Sequence, residues 1–137
     1  MRVWISLGSN IDPETNIPAA FAALERLGSL PARSGVYRSA PHGGAQGPDF
    51  LNAVVLLETE VEDLRAELRR IEEELGRVRP APPNAPRPID LDVLWEAGAP
   101  PDPAQLALPY VVVPLADVAP DLRDPATGKT VRDLARG

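Results

Sequence analysis

The feature that most constrains the fold of this chain is the order in which strand-like and helix-like apolar patterns follow one another. Apolar side chains alternate over residues 2–7, which is typical of a strand, and then recur at near-helical spacing. The predicted elements, in chain order, are a strand at residues 2–7, a helix through residues 17–27 that stops around Gly28, strands at 33–40 and 50–60, a helix from Leu64 to Leu75 that stops at Gly76, and a strand that contains Asp90 and Asp92.

This order, β-α-β-β-α-β, predicts an α+β fold of the ferredoxin-like type, in which an antiparallel sheet carries helices on one face. Thr59 and Glu62 match a capping box before the second helix. The rest is a less regular C-terminal tail, and its residues 110–120 are interpreted as a short strand followed by a turn of helix. Because no linker or repeat divides the sequence, we expect residues 1–137 to form a single domain.

Charge and cysteine content exclude several classes of function. The chain carries 14 basic and 20 acidic residues, for a net charge of −6, which argues against nucleic-acid binding through a basic surface. It has no cysteine, so thiol catalysis, thiolate metal sites and disulfides are excluded together. Because no apolar run approaches the ~20 residues that span a bilayer, and no signal-peptide pattern occurs, we expect no membrane association and a cytoplasmic location.

The stretch RPIDLDVLW sets two acidic residues among apolar neighbours. In a strand, residues i and i+2 share a face, so Asp90 and Asp92 would point the same way. At a separation of ~6 Å and an effective dielectric near 20, two carboxylates repel by roughly 3 kcal/mol. A hard divalent cation is the usual partner that offsets such a repulsion. The alternative is a strand whose solvent-facing side is merely acidic.

Three arginines flank this pair in the sequence. Arg77 and Arg79 follow the second helix, and Arg87 opens the strand. Guanidinium forks suit phosphate oxygens, so the set favours a magnesium-polyphosphate ligand, although 13 of the 14 basic residues are arginine and surface arginines are an alternative. No standard phosphate loop explains such a ligand, because there is no G-x-G-x-x-G and Arg123 stands where a Walker motif ending in TGKT needs glycine.

Further residues are candidates for binding a small molecule. Asn10 ends the first strand in GSN, where small residues let a ligand approach the backbone, although a simple turn is the alternative. Phe50 and Asn52 share one strand face, and a ring beside an amide suits a flat heterocycle; ordinary strand packing explains the pair equally well. The sole histidine, His42, has no nucleophilic partner in sequence and is interpreted as solvated.

Four motifs together resemble 6-hydroxymethyl-7,8-dihydropterin pyrophosphokinase of folate biosynthesis: ISLGSNI, YRSAP…GPDFLNAVVLLET, IEEELGRVR and APRPIDLDVL. They occur in the right order, and the similarity runs from residue 1 to about residue 120. The resemblance implies the ferredoxin-like fold and transfer of the β,γ-diphosphoryl group of ATP to the hydroxymethyl oxygen of the pterin, with release of AMP. The implied partners are ATP and the dihydropterin.

The resemblance also implies roles for individual residues. Asp90 and Asp92 would coordinate two Mg²⁺ ions, and Arg77 and Arg79 would lie on a mobile catalytic loop. The implied catalytic set is Arg77, Arg79, Arg87, Asp90 and Asp92. The implied ATP-binding set is Arg69, Glu72, Arg79, Arg87 and Val93. The implied pterin-binding set is Asn10, Ser39, Ala40, Phe50, Asn52 and Tyr110, in which Phe50 and Tyr110 would face opposite sides of the ring.

The chain departs from the family pattern at two places. Relatives carry a short segment with a histidine and an arginine after an LP pair, whereas here Tyr110 follows Pro109 at once. Asn84 stands where many relatives carry a tryptophan in the catalytic loop. The first departure keeps open a ferredoxin-like module that binds a metabolite without turnover, and a different magnesium-dependent phosphotransferase is a third hypothesis. We expect a monomer, with a homodimer as the alternative.

Overall fold

The computed structural model describes residues 1–41, 47–82 and 85–137, so His42 and Asn84 lie outside the described residues. The elements within these ranges are β1 Arg2–Ser9, α1 Pro13–Glu25, β2 Gly28–Arg33, β3 Tyr37–Ser39, β4 Phe50–Thr59, α2 Leu64–Glu74, β5 Asp90–Glu96, α3 Pro103–Leu106, α4 Pro109–Val118 and α5 Val131–Ala135.

The strands form one antiparallel sheet in the order β2–β4–β1–β5, and β3 continues the edge beside β4. Of the strand predicted at residues 33–40, only Tyr37–Ser39 form a strand of their own, β3, and Arg33 is the last residue of β2, which the sequence did not predict; both strands pair with β4. The sequence predicts that the first helix stops around Gly28, whereas in the structure α1 ends at Glu25 and Gly28 is the first residue of β2. The reason is steric, because a Cβ at Gly28 would lie 2.0 Å from the carbonyl oxygen of Glu58 on β4.

Helices α1 and α2 cover one face of the sheet, which is the predicted ferredoxin-like arrangement. Val3, Ile5 and Leu7 alternate along β1 and point into this layer, where they join Leu24 of α1 and Leu68 of α2 in a buried cluster. Burial of such side chains stabilises the fold by about 1.5–3 kcal/mol each. The first strand thus has the alternation that the sequence predicts.

The two ends of α2 differ in how well the sequence marks them. The predicted capping box at Thr59 is wrong, because Thr59 is the last residue of β4 and its hydroxyl donates to the Leu27 carbonyl at 2.7 Å. The helix is capped by Asp63, whose side chain accepts from the Ala66 N–H at 3.2 Å. Gly76 follows the helix with φ of 103°, a left-handed conformation that favours glycine, so the predicted stop is confirmed.

The C-terminal tail covers part of the opposite face, and the strand predicted at residue 110 is wrong. Residues 109–118 form the helix α4, which begins with Pro109 in its first turn, where proline's fixed φ suits a helix. Val111 and Leu115 lie one turn apart and pack with Trp4 and Trp95 of the sheet. None of the helices in the described ranges is long and apolar enough to cross a membrane.

Candidate active site

The second face of the sheet changes character past the part that Val111 and Leu115 of α4 cover. On three neighbouring strands the side chains that share this face turn from apolar to small or polar, at the same level: from Trp4 to Ser6 and Gly8 on β1, from Leu56 and Val54 to Asn52 on β4, and from Trp95 to Asp92 and Asp90 on β5. A cavity of about 150 Å³ opens over this end, and it is lined by Ser6, Gly8, Ser39, Ala40, Phe50, Asn52, Arg87, Asp90, Asp92 and Tyr110.

Gly8 and Asn52 form one side of the cavity floor. A Cβ at Gly8 would lie 3.4 Å from Asn52 Oδ1 and 3.6 Å from a ring carbon of Phe50, so the glycine leaves room for a ligand between them. Asn52 is 4% exposed, and its Nδ2 donates to Ser39 Oγ at 2.7 Å. This bond fixes the amide and leaves its oxygen as an acceptor beside Gly8.

Two aromatic side chains line the same cavity from different elements. Phe50 comes from the start of β4 and Tyr110 from the first turn of α4. The pKa of the Tyr110 hydroxyl is raised, first by burial and then by the negative charges of Asp92 and Asp90. Aromatic walls with a fixed amide at the edge suit a flat, polar-edged ring.

Asp90 and Asp92 share a face of β5, as the spacing predicted. Asp90 accepts from Nη1 of Arg77 at 3.0 Å and from Nη1 of Arg87 at 3.2 Å. No hydrogen bond to the carboxylate of Asp92 is formed by the residues that the structure describes. The two acidic residues therefore differ, since one is held by arginines and the other faces the cavity.

The pKa of Asp92 is shifted from its ordinary value. Its pKa is raised to about 6, first because the surrounding protein displaces solvent and then because Asp90 and Glu72 carry the same charge. Arg77 and Arg87 oppose this shift without cancelling it. The local field at Asp92 is therefore one that a cation would relieve.

Glu72 of α2 joins the arginines to the sheet. It is 4% exposed and accepts from Arg77 at 2.9 Å, from Arg79 at 2.5 Å and from the Leu91 N–H at 2.8 Å. A buried carboxylate with three donors is well satisfied. Glu72 thus ties the segment after α2 to β5, beside the aspartates.

A second, larger cavity of about 610 Å³ lies on the α2 side of the aspartates. Its lining includes Arg65, Arg69, Glu72, Arg77, Arg79 and Val93, together with Asp90 and Asp92. The two aspartates thus line both cavities, so a molecule in one and a molecule in the other could meet at these carboxylates.

Asn10 has a different place from the other predicted ligand-binding residues. It is 3% exposed, its Oδ1 accepts from the Arg87 N–H at 2.7 Å, and its Nδ2 donates to the Pro48 carbonyl at 3.4 Å. The backbone of Asn10 also donates to the Arg87 carbonyl at 3.1 Å. Asn10 therefore holds the segment that carries Arg87, and a direct contact with a ligand stays a prediction.

The structure brings most of the predicted site residues together in two groups. Ser39, Ala40, Phe50, Asn52 and Tyr110 line the smaller cavity, and Arg69, Glu72, Arg77, Arg79 and Val93 line the larger one. Sequence reasoning missed Ser6 and Gly8 on the floor. The signal was available, because the alternation that puts Ile5 and Leu7 in the core puts their neighbours on the opposite face.

An antiparallel sheet with one cavity lined by aromatic side chains, a second cavity lined by arginines and two carboxylates that line both has the features that a phosphotransferase requires. The sequence model of the family described as 7,8-dihydro-6-hydroxymethylpterin-pyrophosphokinase matches residues 4–120. The chain belongs to this family.

Individual relatives agree with this assignment. The chain is 42% identical over 137 aligned residues to the 2-amino-4-hydroxy-6-hydroxymethyldihydropteridine pyrophosphokinase of Pseudomonas aeruginosa, covering 90% of this chain and 84% of the relative. The protein of the same name from Methylorubrum extorquens is 40% identical, over 96% of this chain and 90% of the relative. These coverages leave little of either relative unmatched.

A solved structure shows the same fold at low sequence identity. Wild-type HPPK-DHPS of Plasmodium falciparum, crystallised with pteroate, aligns with a TM-score of 0.70 at 14% identity. The alignment covers 98% of this chain and 42% of that chain, so this protein spans less than half of the Plasmodium chain. The similarity supports the ferredoxin-like arrangement.

Proposed function

We propose that this protein transfers the β,γ-diphosphoryl group of ATP to the hydroxymethyl oxygen of 6-hydroxymethyl-7,8-dihydropterin. The hydroxymethyl oxygen attacks the β-phosphorus, and the bond from that phosphorus to the oxygen it shares with the α-phosphorus breaks. AMP leaves with that oxygen, and the hydroxyl proton passes to water. The observation that carries the proposal is the placing of Asp90 and Asp92, which line both cavities. The protein would then catalyse a step of folate biosynthesis.

The smaller cavity would take the pterin. Phe50 and Tyr110 would enclose the ring, and the fixed amide of Asn52 would bond its polar edge together with the backbone at Ser39 and Ala40. The open surface above Gly8 would let the ring approach the strand closely. The hydroxymethyl group would then point along the floor toward the aspartates.

The larger cavity would take ATP. Arg69, Glu72 and Val93 line it on the nucleotide side, and Arg77 and Arg79 enter it from the segment after α2. Arg87, which lines the smaller cavity, would reach the phosphates from the opposite side. The arginine forks would neutralise phosphate oxygens as the β,γ-diphosphoryl group moves.

The carboxylates fit Mg²⁺ as a cofactor. Carboxylate oxygens are hard ligands, and the pKa of Asp92 is raised first by burial and then by the charges of Asp90 and Glu72, which a cation would offset. In the described ranges no three His, Cys, Asp or Glu side chains gather to hold a metal, so phosphate oxygens and water would complete the coordination of two ions at Asp90 and Asp92. When bound, Mg²⁺ would draw charge from the bridging phosphate oxygens.

The protein itself would lower the barrier mainly by position and charge. Holding the hydroxymethyl oxygen beside the β-phosphorus converts an encounter between two molecules into a step within one complex. Closing the Arg77 and Arg79 segment over the phosphates would exclude water, which competes for the same phosphorus. No side chain needs an unusual acid or base strength for this.

The test is AMP release followed in a coupled assay, with the dihydropterin alcohol and Mg²⁺ each present or absent. We expect AMP only when both are present. AMP at the same rate without the pterin would assign a different phosphotransferase, and pterin binding without AMP under any condition would assign the non-catalytic module. The single domain over residues 1–137, the monomeric state and the cytoplasmic location stay predictions.

A further inference from the structure

Ser6 occupies a defined place on the cavity floor that the proposed reaction does not yet use. It is 6% exposed and lines the smaller cavity. In the sheet register its Cα partners are Asp92 on β5 and Val54 on β4. A nearly buried hydroxyl thus has an apolar neighbour on one side and a carboxylate on the other.

The hydroxyl of Ser6 belongs to the lining of the smaller cavity. Among the described residues no hydrogen bond to its Oγ is formed, and no enclosed side-chain nitrogen or oxygen is left unsatisfied, so this atom reaches the cavity space. A hydrogen bond that this hydroxyl forms on ligand binding would contribute about 0.5–1.5 kcal/mol.

Asp92 is a possible acceptor for the Ser6 hydroxyl. Its neighbour Asp90 is fixed by Arg77 and Arg87, whereas no described donor sets the orientation of the Asp92 carboxylate. Directly opposed residues of antiparallel strands have Cβ atoms about 4.5–5.5 Å apart. A serine Oγ and an aspartate Oδ at that spacing can meet in a charge-assisted bond of about 2.6 Å.

We propose that Ser6 is a positioning residue for Asp92: when a divalent cation binds, the Ser6 hydroxyl donates to one carboxylate oxygen of Asp92 and leaves the other oxygen directed at the cation. The role rests on the proposed function, because it concerns the metal that ATP brings. A contact from Ser6 to the pterin edge is disfavoured by the register, in which Gly8, not Ser6, is opposed to Asn52.

The experiment measures Mg²⁺-dependent binding of α,β-methylene-ATP, whose α–β linkage cannot be cleaved, by titration calorimetry. Ser6→Ala is compared with Ser6→Thr, which keeps a hydroxyl, and with Ser29→Ala on the exposed edge strand β2. Ser6→Ala should weaken the Mg²⁺-dependent binding about 10-fold, as loss of a group that orients a metal ligand does. Ser6→Thr should restore it, and Ser29→Ala should not change it.

Two further readouts separate this role from others. Pterin binding without nucleotide and the melting temperature should be the same in Ser6→Ala as in the unsubstituted protein. Unchanged Mg²⁺-dependent binding in Ser6→Ala, or weakened pterin binding with the Mg²⁺ dependence intact, would overturn the positioning role while leaving the proposed function standing. If the unsubstituted protein binds the analogue equally with and without Mg²⁺, the proposed function fails, and the positioning role fails with it.

Discussion

The two ends of one face of the sheet differ: one end is buried under apolar side chains, and the other lines a cavity. Under α4, Trp4 and Trp95 pack with Leu115 in a buried cluster. One pleat further along the same strands, Ser6 and Asp92 line an open cavity. The strands stay paired across both ends, although the register of β1 and β5 shifts between Trp4 and Ile5, so the main difference lies in the side chains and in what covers them. The sheet supports both ends, and the C-terminal tail, chiefly α4 together with Leu106 of α3 and Val131 of α5, covers one of them.

The largest expected effect is a loss of activity from a substitution at the open end of the sheet. Asp92→Asn should lower pterin-dependent AMP release by roughly 10³-fold or more, because it removes a metal-binding charge from the reacting centre. The coupled assay measures it. Asp121→Asn is the matched control, since Asp121 is a surface residue paired with Arg132 at 2.9 Å. An Asp92→Asn protein with normal turnover would remove the aspartate from the mechanism.

The next largest effect is a loss of stability from a substitution at the covered end of the sheet. Leu115 is fully buried between α4 and the sheet, so Leu115→Ala should destabilise the protein by about 3 kcal/mol. The melting temperature should fall by about 10 °C. Val36→Ala, at a side chain on the surface, should change stability by no more than about 0.5 kcal/mol. A stable Leu115→Ala protein that has lost pterin binding would contradict the division between the two ends.

Two glycines sharpen the comparison, because each is needed for a different reason. A Cβ at Gly8 would intrude between Asn52 and Phe50 in the cavity, so Gly8→Ala should weaken pterin binding about 10-fold with little loss of stability. A Cβ at Gly28 would meet the Glu58 backbone, so Gly28→Ala should lower the melting temperature. Calorimetric titration and thermal melts of both variants test this; the reverse pattern would be evidence against it.

The smallest effect concerns pH. Because the pKa of Asp92 is raised to about 6, protons should compete with the cation below that pH. Mg²⁺-dependent nucleotide binding should be constant above pH 7 and weaken by about 10-fold for each unit below pH 6. Titrations between pH 5 and 8 measure it. A decline that begins only near pH 4, where an ordinary aspartate titrates, would show that the field at Asp92 is not as described.

Much of the fold could be predicted from local pattern. The alternation of β1, the apolar stripe of α2 and the stop at Gly76 depend on neighbours in sequence, and the structure confirms them. The tail could not be predicted this way, since a run of three valines after Tyr110 has the composition of a strand. Pro109 in a first turn and the apolar sheet face beneath it favour a helix instead.

In the candidate site, too, features that depend on neighbours in sequence could be predicted, and features that depend on distant residues could not. The shared face of Asp90 and Asp92 follows from strand period alone, and the family membership that the four motifs predicted is confirmed. The bond from Asn10 to Arg87 joins residues 77 positions apart, so no local pattern indicates it. The break between β2 and β3 likewise depends on how both lie against β4.

The bonds of Glu72 have a consequence for how an anionic ligand arrives and departs. Arg77 and Arg79 already share this carboxylate, so we expect a polyphosphate that binds these arginines to compete with Glu72 for them. Its affinity is then the difference between two bonded states, which is smaller than either alone. Departure of the reacted nucleotide would then return both guanidinium groups to Glu72.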